Sequence, residues 1–248
     1  MAYRAILFDL FDTLVIFDRD RLPVIEVNGR SLRSTAGHLH AVVERVFPGI
    51  SLDTVHAGLT ESWKEAERQR AIDHREVAAP VRFAHFLHCV AIDPAACPEG
   101  FVEMLVDTHR RELGKAADFP PHHGPLLQKL AERYRLAVVS NFDYTPTALD
   151  ILERAGVASL FEAIVVSDRI GWRKPHARIF EETLARLGLR PAEALFVGDR
   201  IDIDVGGAQR LGMDTAWINR DAVTLPAGMT PPTFEIRDLG ELAGILDV

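Results

Sequence analysis

The chain has 248 residues, is 48% apolar and carries a formal net charge of −8 with no basic block. That suits one large or two small globular domains and argues against a nucleic-acid surface, which needs clustered Lys and Arg. An anionic ligand would be held by local positive groups or a metal.

No uninterrupted apolar run is long enough to span a bilayer, and no secretory signal is evident. Two cysteines, Cys89 and Cys97, provide no disulfide framework, so a cytoplasmic setting is expected.

In chain order, the first element is a strand within "ILFDLFDTLV", residues 6–15. An apolar run ends in Asp9, Asp12 follows three residues later, and Phe11 sits between them. Next, "PVIEVNGRSL" predicts a hairpin with Asn28-Gly29 as a two-residue turn. Residues 34–46, 53–73, 77–92 and 98–113 show helical apolar spacing. Short buried strands are then expected at 136–140, 163–167, 194–198 and 215–219, alternating with helices such as 178–187 and 204–211. This alternation predicts βαβ units and a parallel sheet. The expectation is an α/β protein with a three-layer Rossmann-like core, residues 1–17 and 116–248. A small α-helical domain, 18–115, is inserted after the first strand.

Ligands of an open parallel sheet bind beyond the C-terminal strand ends. Here those ends carry Asp9, then Ser140-Asn141, then "GDRIDID" with Asp199, Asp202 and Asp204. Lys174, in "GWRKPHARIF", precedes a helix. Converging acids need a cation, and oxygen-only ligands suit Mg²⁺.

In this order and spacing, the four pieces resemble the haloacid dehalogenase superfamily of hydrolases, most of whose members are phosphatases. The resemblance covers the first strand and residues 136–219. The inserted helices look like that family's cap, although they carry no matching motif. The resemblance implies that Asp9 is the nucleophile and that Ser140 and the backbone of Asn141, with Thr13, hold the phosphoryl oxygens. It implies that Lys174 neutralises Asp9 and the phosphoryl group. Asp199 would bind Mg²⁺ with Asp9 and the carbonyl of Phe11, supported by Asp204, while Asp202 is a surface residue.

Phosphatases of that family usually read Asp-x-Asp, the second acid protonating the leaving oxygen. Phe11 occupies its place, and Asp12 stands where glycine is common. Asp12 either takes over the proton transfer or braces the turn. An aromatic residue at position 11 is similar to the dehalogenases, which expel halide and use neither proton nor metal. The retained Asp199 favours phosphate.

The expected function is Mg²⁺-dependent hydrolysis of a small phosphorylated metabolite through an aspartyl-phosphate intermediate. The alternatives are a 2-haloacid dehalogenase and a catalytically weak phosphate-binding protein of the same fold. Neither nucleic acid nor membrane is expected as a partner.

Other features carry blander expectations. His85, His88, Cys89 and Cys97 are read as packing residues rather than a zinc site. Gly206-Gly207 permits close packing at a helix start. Trp172 either flanks substrate or packs, and Arg68 and Arg70 are read as a solvated helix face rather than as contacts for an anionic substrate tail.

Overall fold

The computed structural model describes residues 3–248. In chain order the first strands are β1 (Ala5–Phe8), β2 (Ile16–Phe17) and the pair β3 (Val24–Val27) and β4 (Arg30–Arg33). Helices α1 (Ala36–Val46), α2 (Leu52–Asp73), α3 (Ala79–Cys89) and α4 (Phe101–Gly114) follow. Then come β5 (Ala117–Asp118), α5 (His123–Ala131), β6 (Arg135–Ser140), α6 (Thr145–Arg154), β7 (Phe161–Val166), α7 (Ser167–Ile170) and α8 (Ala177–Leu187). The chain closes with β8 (Ala194–Gly198), α9 (Gly206–Gln209), β9 (Asp214–Ile218), β10 (Phe234–Ile236) and α10 (Leu242–Ile245). It divides into two compact units: one runs to Phe17 and resumes at Asp118–Val248, and the other is Asp18–Ala117.

In the first unit, six strands form one sheet in the order β10-β9-β8-β1-β6-β7, every neighbouring pair parallel. Strands covered on both faces read as continuous apolar runs, and β1 and β8 are wholly buried. Side chains alternate across the pleat. Ala5, Leu7, Ala137, Val139, Ala163, Val165 and Phe196 form one apolar layer with Ile179, Phe180 and Leu184 of α8. The expected α/β layering is thus present.

The strand order reverses at β1, whose neighbours are β6 and β8. Phe8 is paired with both Val138 and Val197. The next residues of all three strands therefore emerge side by side at a topological switch point.

Several elements differ from the sequence reading, among them the short strands β2 and β5. The acid-rich segment before α9 is a π-helical turn, Ile201–Val205, rather than regular helix. The edge strand β10 was not anticipated: it has three residues, and its central Glu235 is exposed.

The second unit opens on the hairpin β3–β4, antiparallel with Val27 opposite Arg30. Asn28 and Gly29 both have positive φ, 50° and 70°, as a type I′ turn requires. Four helices follow. α2 begins where Ser51 Oγ accepts the Thr54 N–H at 3.2 Å and ends at His74 in the left-handed region. Leu39, Val43, Val55, Phe83, Phe86, Leu87, Phe101 and Leu105 are buried.

Core packing does not account for every member of the His/Cys set. His88 is exposed, and His85 and Cys89 are half-buried; the buried positions of α3 are Ala79, Arg82, Phe83, Phe86 and Leu87. Among the described residues the set forms no ligand cluster.

Arg70 also departs from the solvated-face expectation. It is 7% exposed and donates to Glu76 at 2.8 Å, Glu67 at 2.6 Å and the Val77 carbonyl at 2.9 Å. Arg68 does lie on the surface, paired with Glu61 and Glu65. Removing one partner of a buried ion pair strands the other charge, at a cost of about 3–5 kcal/mol. Glu76→Ala is therefore expected to lower the free energy of unfolding by about that amount, measured by urea denaturation. A change below about 1 kcal/mol, the scale of a surface pair, would contradict the burial of this network.

Candidate active site

The ends of β1, β6 and β8 build the site. Asp9 leaves β1 with its N–H held by the Val197 carbonyl at 2.9 Å, and the residue is 8% exposed. Its Oδ1 accepts from Lys174 Nζ at 2.6 Å. Lys174 Nζ also donates to the Val139 carbonyl at 2.7 Å and forms an ion pair with Asp204 Oδ1 at 2.8 Å. Both Lys174 and Asp204 are almost fully buried.

Asp204 is placed by the turn that carries it. Its Oδ2 accepts the Arg200 N–H at 3.1 Å, and its own N–H reaches the Arg200 carbonyl at 2.8 Å. Gly198 makes room for it: a Cβ there would lie 2.4 Å from Asp204 Oδ2, too close for any side chain. Gly207 serves the packing role expected of it, since a Cβ there would meet the Phe180 ring at 2.8 Å.

Asp199 is the third acid. One carboxylate oxygen from each of Asp9, Asp199 and Asp204 lies within 4.8 Å of the others. Burial raises the Asp9 carboxyl to about 6, with Asp204 adding and Lys174 opposing. Burial likewise pushes Asp199 up to about 8, helped by Asp9, Asp204 and Asp12. Burial disfavours the Lys174 charge, but Asp204 and Asp9 outweigh it and the pKa is raised. Asp9 and Asp204 thus flank one ammonium with Asp199 beside them, and burial with neighbouring carboxylates favours the protonated forms of Asp9 and Asp199.

Asn141 has a function that strand-end position alone did not suggest. Its Oδ1 accepts the Lys174 N–H at 2.7 Å, and its Nδ2 donates to the Lys174 carbonyl at 2.8 Å. The side chain is a two-pronged clamp on the Lys174 backbone, which leaves the main chain of Asn141 for other work. Ser140 and Thr13 are fully buried, and among the described residues the Ser140 Oγ and Thr13 Oγ1 hydroxyls lack hydrogen-bond partners.

Asp12 has φ of +60°, the left-handed region that favours glycine and tolerates aspartate. Its N–H bonds the Val15 carbonyl at 2.6 Å, and its Oδ1 accepts the Phe17 N–H at 3.1 Å. It braces the turn and also lines the cleft. Phe11 packs against Phe142, ring centroids 4.9 Å apart, and Phe17, 6.2 Å apart.

The resulting cleft of about 230 Å³ is lined by Asp9, Phe11, Asp12, Asn141, Lys174, Asp199 and Asp204, joined by Arg173, Arg200 and Ile203. The two arginines were missed, although each lies within a quoted motif. Asp202 stands outside, exposed and 3.3 Å from Arg200. Trp172 packs on His176, ring centroids 4.0 Å apart.

The sequence pattern of the haloacid dehalogenase-like hydrolases matches residues 3–212, and the chain belongs to that family of hydrolases. It is 29% identical over 217 residues to the glyceraldehyde 3-phosphate phosphatase of Methanopyrus kandleri, covering 88% of this chain and 84% of that protein. It is 26% identical to the putative HAD-hydrolase YfnB of Bacillus subtilis, over 99% of this chain and 96% of that one. The magnesium-bound crystal structure of YfnB shares the fold across the full length of both chains, with a TM-score of 0.65 at 24% identity. A 2-haloacid dehalogenase from Pseudomonas syringae pv. Tomato DC3000 superposes with a TM-score of 0.77 at 21% identity, covering 99% of this chain and 98% of that one.

The Asn141 clamp generates a test. Asn141→Ala removes two hydrogen bonds from part-buried backbone groups, each left unmade at a cost of about 1–3 kcal/mol. The variant is expected to unfold about 2–4 kcal/mol more easily than the wild type in urea. An unchanged midpoint would show that the Lys174 segment holds its place without the clamp.

Proposed function

We propose that the protein is a Mg²⁺-dependent phosphatase that hydrolyses a small phosphorylated metabolite through phosphoryl transfer to Asp9. One observation carries this reading: Asp9, Asp199 and Asp204 each bring a carboxylate oxygen within 4.8 Å of the others, beside the Lys174 ammonium that pairs with Asp9 and Asp204. The donor set fits a hard divalent cation, which prefers carboxylate and carbonyl oxygens. Asp9, Asp199 and the Phe11 carbonyl would hold the ion, with Asp204 in support. When bound, Mg²⁺ supplies positive charge to the phosphoryl oxygens. The phosphatase names of similar proteins agree with this reading. We further propose that Asp18–Ala117 acts as a cap that selects the substrate.

Lys174 holds Asp9 Oδ1 and leaves Oδ2 to attack phosphorus. The ester P–O bond breaks as the new P–O bond to Asp9 forms. Lys174, Asn141 N–H and the hydroxyls of Ser140 and Thr13 steady the phosphoryl oxygens. Water then attacks phosphorus, and the acyl phosphate releases inorganic phosphate and free Asp9. Phe11 has no proton to give the leaving oxygen; Asp12 is the cleft carboxyl left over once Asp9, Asp199 and Asp204 are assigned to attack and to the cation, and it passes one.

Three outcomes follow. In a panel of phosphometabolites run beside 2-chloropropionate, phosphate release is expected only with Mg²⁺ and is abolished in Asp9→Asn, whose fold persists. Halide release in excess EDTA would instead identify a dehalogenase, and binding without turnover a phosphate-binding protein.

Mg²⁺ affinity is expected to rise from pH 6 to pH 8. Protonated carboxyls do not coordinate, and Asp9 and Asp199 lose their protons near 6 and 8 in the metal-free chain. Calorimetry in buffers of different ionisation enthalpy should register proton release; affinity flat across that range would contradict the assignment.

Asp12→Asn keeps an oxygen for the Phe17 N–H but removes the acid. Rates on alkyl phosphates should fall about 10²-fold or more, with aryl phosphates affected far less. An equal effect on both would leave Asp12 as a turn brace alone.

A further inference from the structure

Where the chain re-enters the first unit, His122 and His123 meet Asp238 of the C-terminal segment. One nitrogen from each ring and one carboxylate oxygen lie within 4.8 Å of one another. None of the three lines the catalytic cleft. His122 is exposed, with Nε2 at 3.0 and 3.1 Å from the two Asp238 oxygens. By itself this is a surface ion pair, which needs no ligand.

His123 is different. It is fully buried, and its Nδ1 lies 2.9 Å from the Leu14 carbonyl. A carbonyl oxygen can only accept, so Nδ1 carries the proton and Nε2 carries the lone pair. Among the described residues, that Nε2 is buried without a hydrogen-bond partner. An imidazole that donates one N–H to a carbonyl and turns its other nitrogen to a metal is the usual arrangement of a ligating histidine. Burial lowers the His123 pKa, with His122 and Arg220 adding to the effect and the Leu14 carbonyl and Asp238 opposing it, which favours the neutral ring that ligates.

We propose that His122, His123 and Asp238 form a binding site for a divalent transition metal, Zn²⁺ by the chemistry of the donors. Two imidazole nitrogens and one carboxylate oxygen, completed by water, are a tetrahedral zinc set. Zinc bonds of about 2.0–2.1 Å put neighbouring ligand atoms roughly 3.3 Å apart, close to the His122–Asp238 separations here. Asp238 is already oriented by the Gly240 N–H on Oδ1 at 2.8 Å, as His123 is by Leu14. His122 Nε2 now donates to Asp238; on ligation Nε2 gives up that proton and Nδ1, through solvent, carries one instead, so the ring stays a neutral imidazole. The ion would tie the start of α5 to the C-terminal segment. Through the Nδ1 bond it would also steady the turn that follows Asp9.

The test uses the EDTA-stripped full chain in saturating Mg²⁺, which occupies oxygen sites in preference to imidazole ones. Equilibrium dialysis against Co²⁺ is expected to show one bound equivalent, with the visible absorption of low-coordinate cobalt, displaced by Zn²⁺. Zn²⁺ should also raise the melting temperature. His122→Ala alters an exposed side chain and leaves the fold intact, yet should weaken Co²⁺ binding by about tenfold or more. Asp238→Asn, which keeps an oxygen for the Gly240 N–H, should do the same. No Co²⁺ retained beside Mg²⁺, or equal binding by wild type and His122→Ala, would overturn the proposal.

Discussion

The buried Lys174 ammonium is the interaction on which the arrangement of the site depends. It bonds Asp9 from the end of β1 and the Val139 carbonyl of β6, and it pairs with Asp204 from the turn after β8. At about 4 Å and an effective dielectric of ~20, each opposite pair is worth roughly 4 kcal/mol. An isolated buried charge would be costly, so the lysine and the acids hold one another in place. The Asn141 clamp, the Gly198 gap and the turn around Arg200 all serve to set this group of atoms. With three acids clustered beside one buried ammonium, the same geometry offers carboxylate oxygens to a divalent cation. The phosphatase reading follows from that cluster.

Position 11 shows how a family pattern bends without breaking the scaffold. The ring of Phe11 sits among Phe17 and Phe142, all of them residues of the first unit. Aromatic pairs of this kind add about 0.5–1.5 kcal/mol beyond their buried area. An acid at position 11 would lose that packing. Asp12 can stand next to it because aspartate accepts the left-handed backbone there and repays the strain by bonding the Phe17 N–H. Bracing and proton transfer are compatible, since the first uses Oδ1 and leaves the second oxygen for the cleft.

Much of this is legible in the amino-acid order, for physical reasons. Core strands covered on both faces are unbroken apolar runs, so β1, β6, β7, β8 and β9 stand out, as do the polar groups at their C-terminal ends. Asn28-Gly29 announces its hairpin because few residues accept positive φ twice. Features that rest on distant side chains are silent. The clamp joins Asn141 to a residue 33 positions away, and His122 meets Asp238 across 116. Arg70 resembles any helical surface arginine until the chain brings Glu76 back beneath it. Strand β10 escapes notice because three residues with a charged centre show no pattern.

The central claim is that Asp9 receives the phosphoryl group. Its most direct test is to quench the enzyme during turnover of a phosphorylated substrate, reduce with borohydride and map the N-terminal peptide. An acyl phosphate on Asp9 is reduced to homoserine, so the account predicts homoserine at position 9, dependent on both substrate and Mg²⁺. Steady phosphate release with Asp9 recovered unchanged at every time of quenching would contradict it.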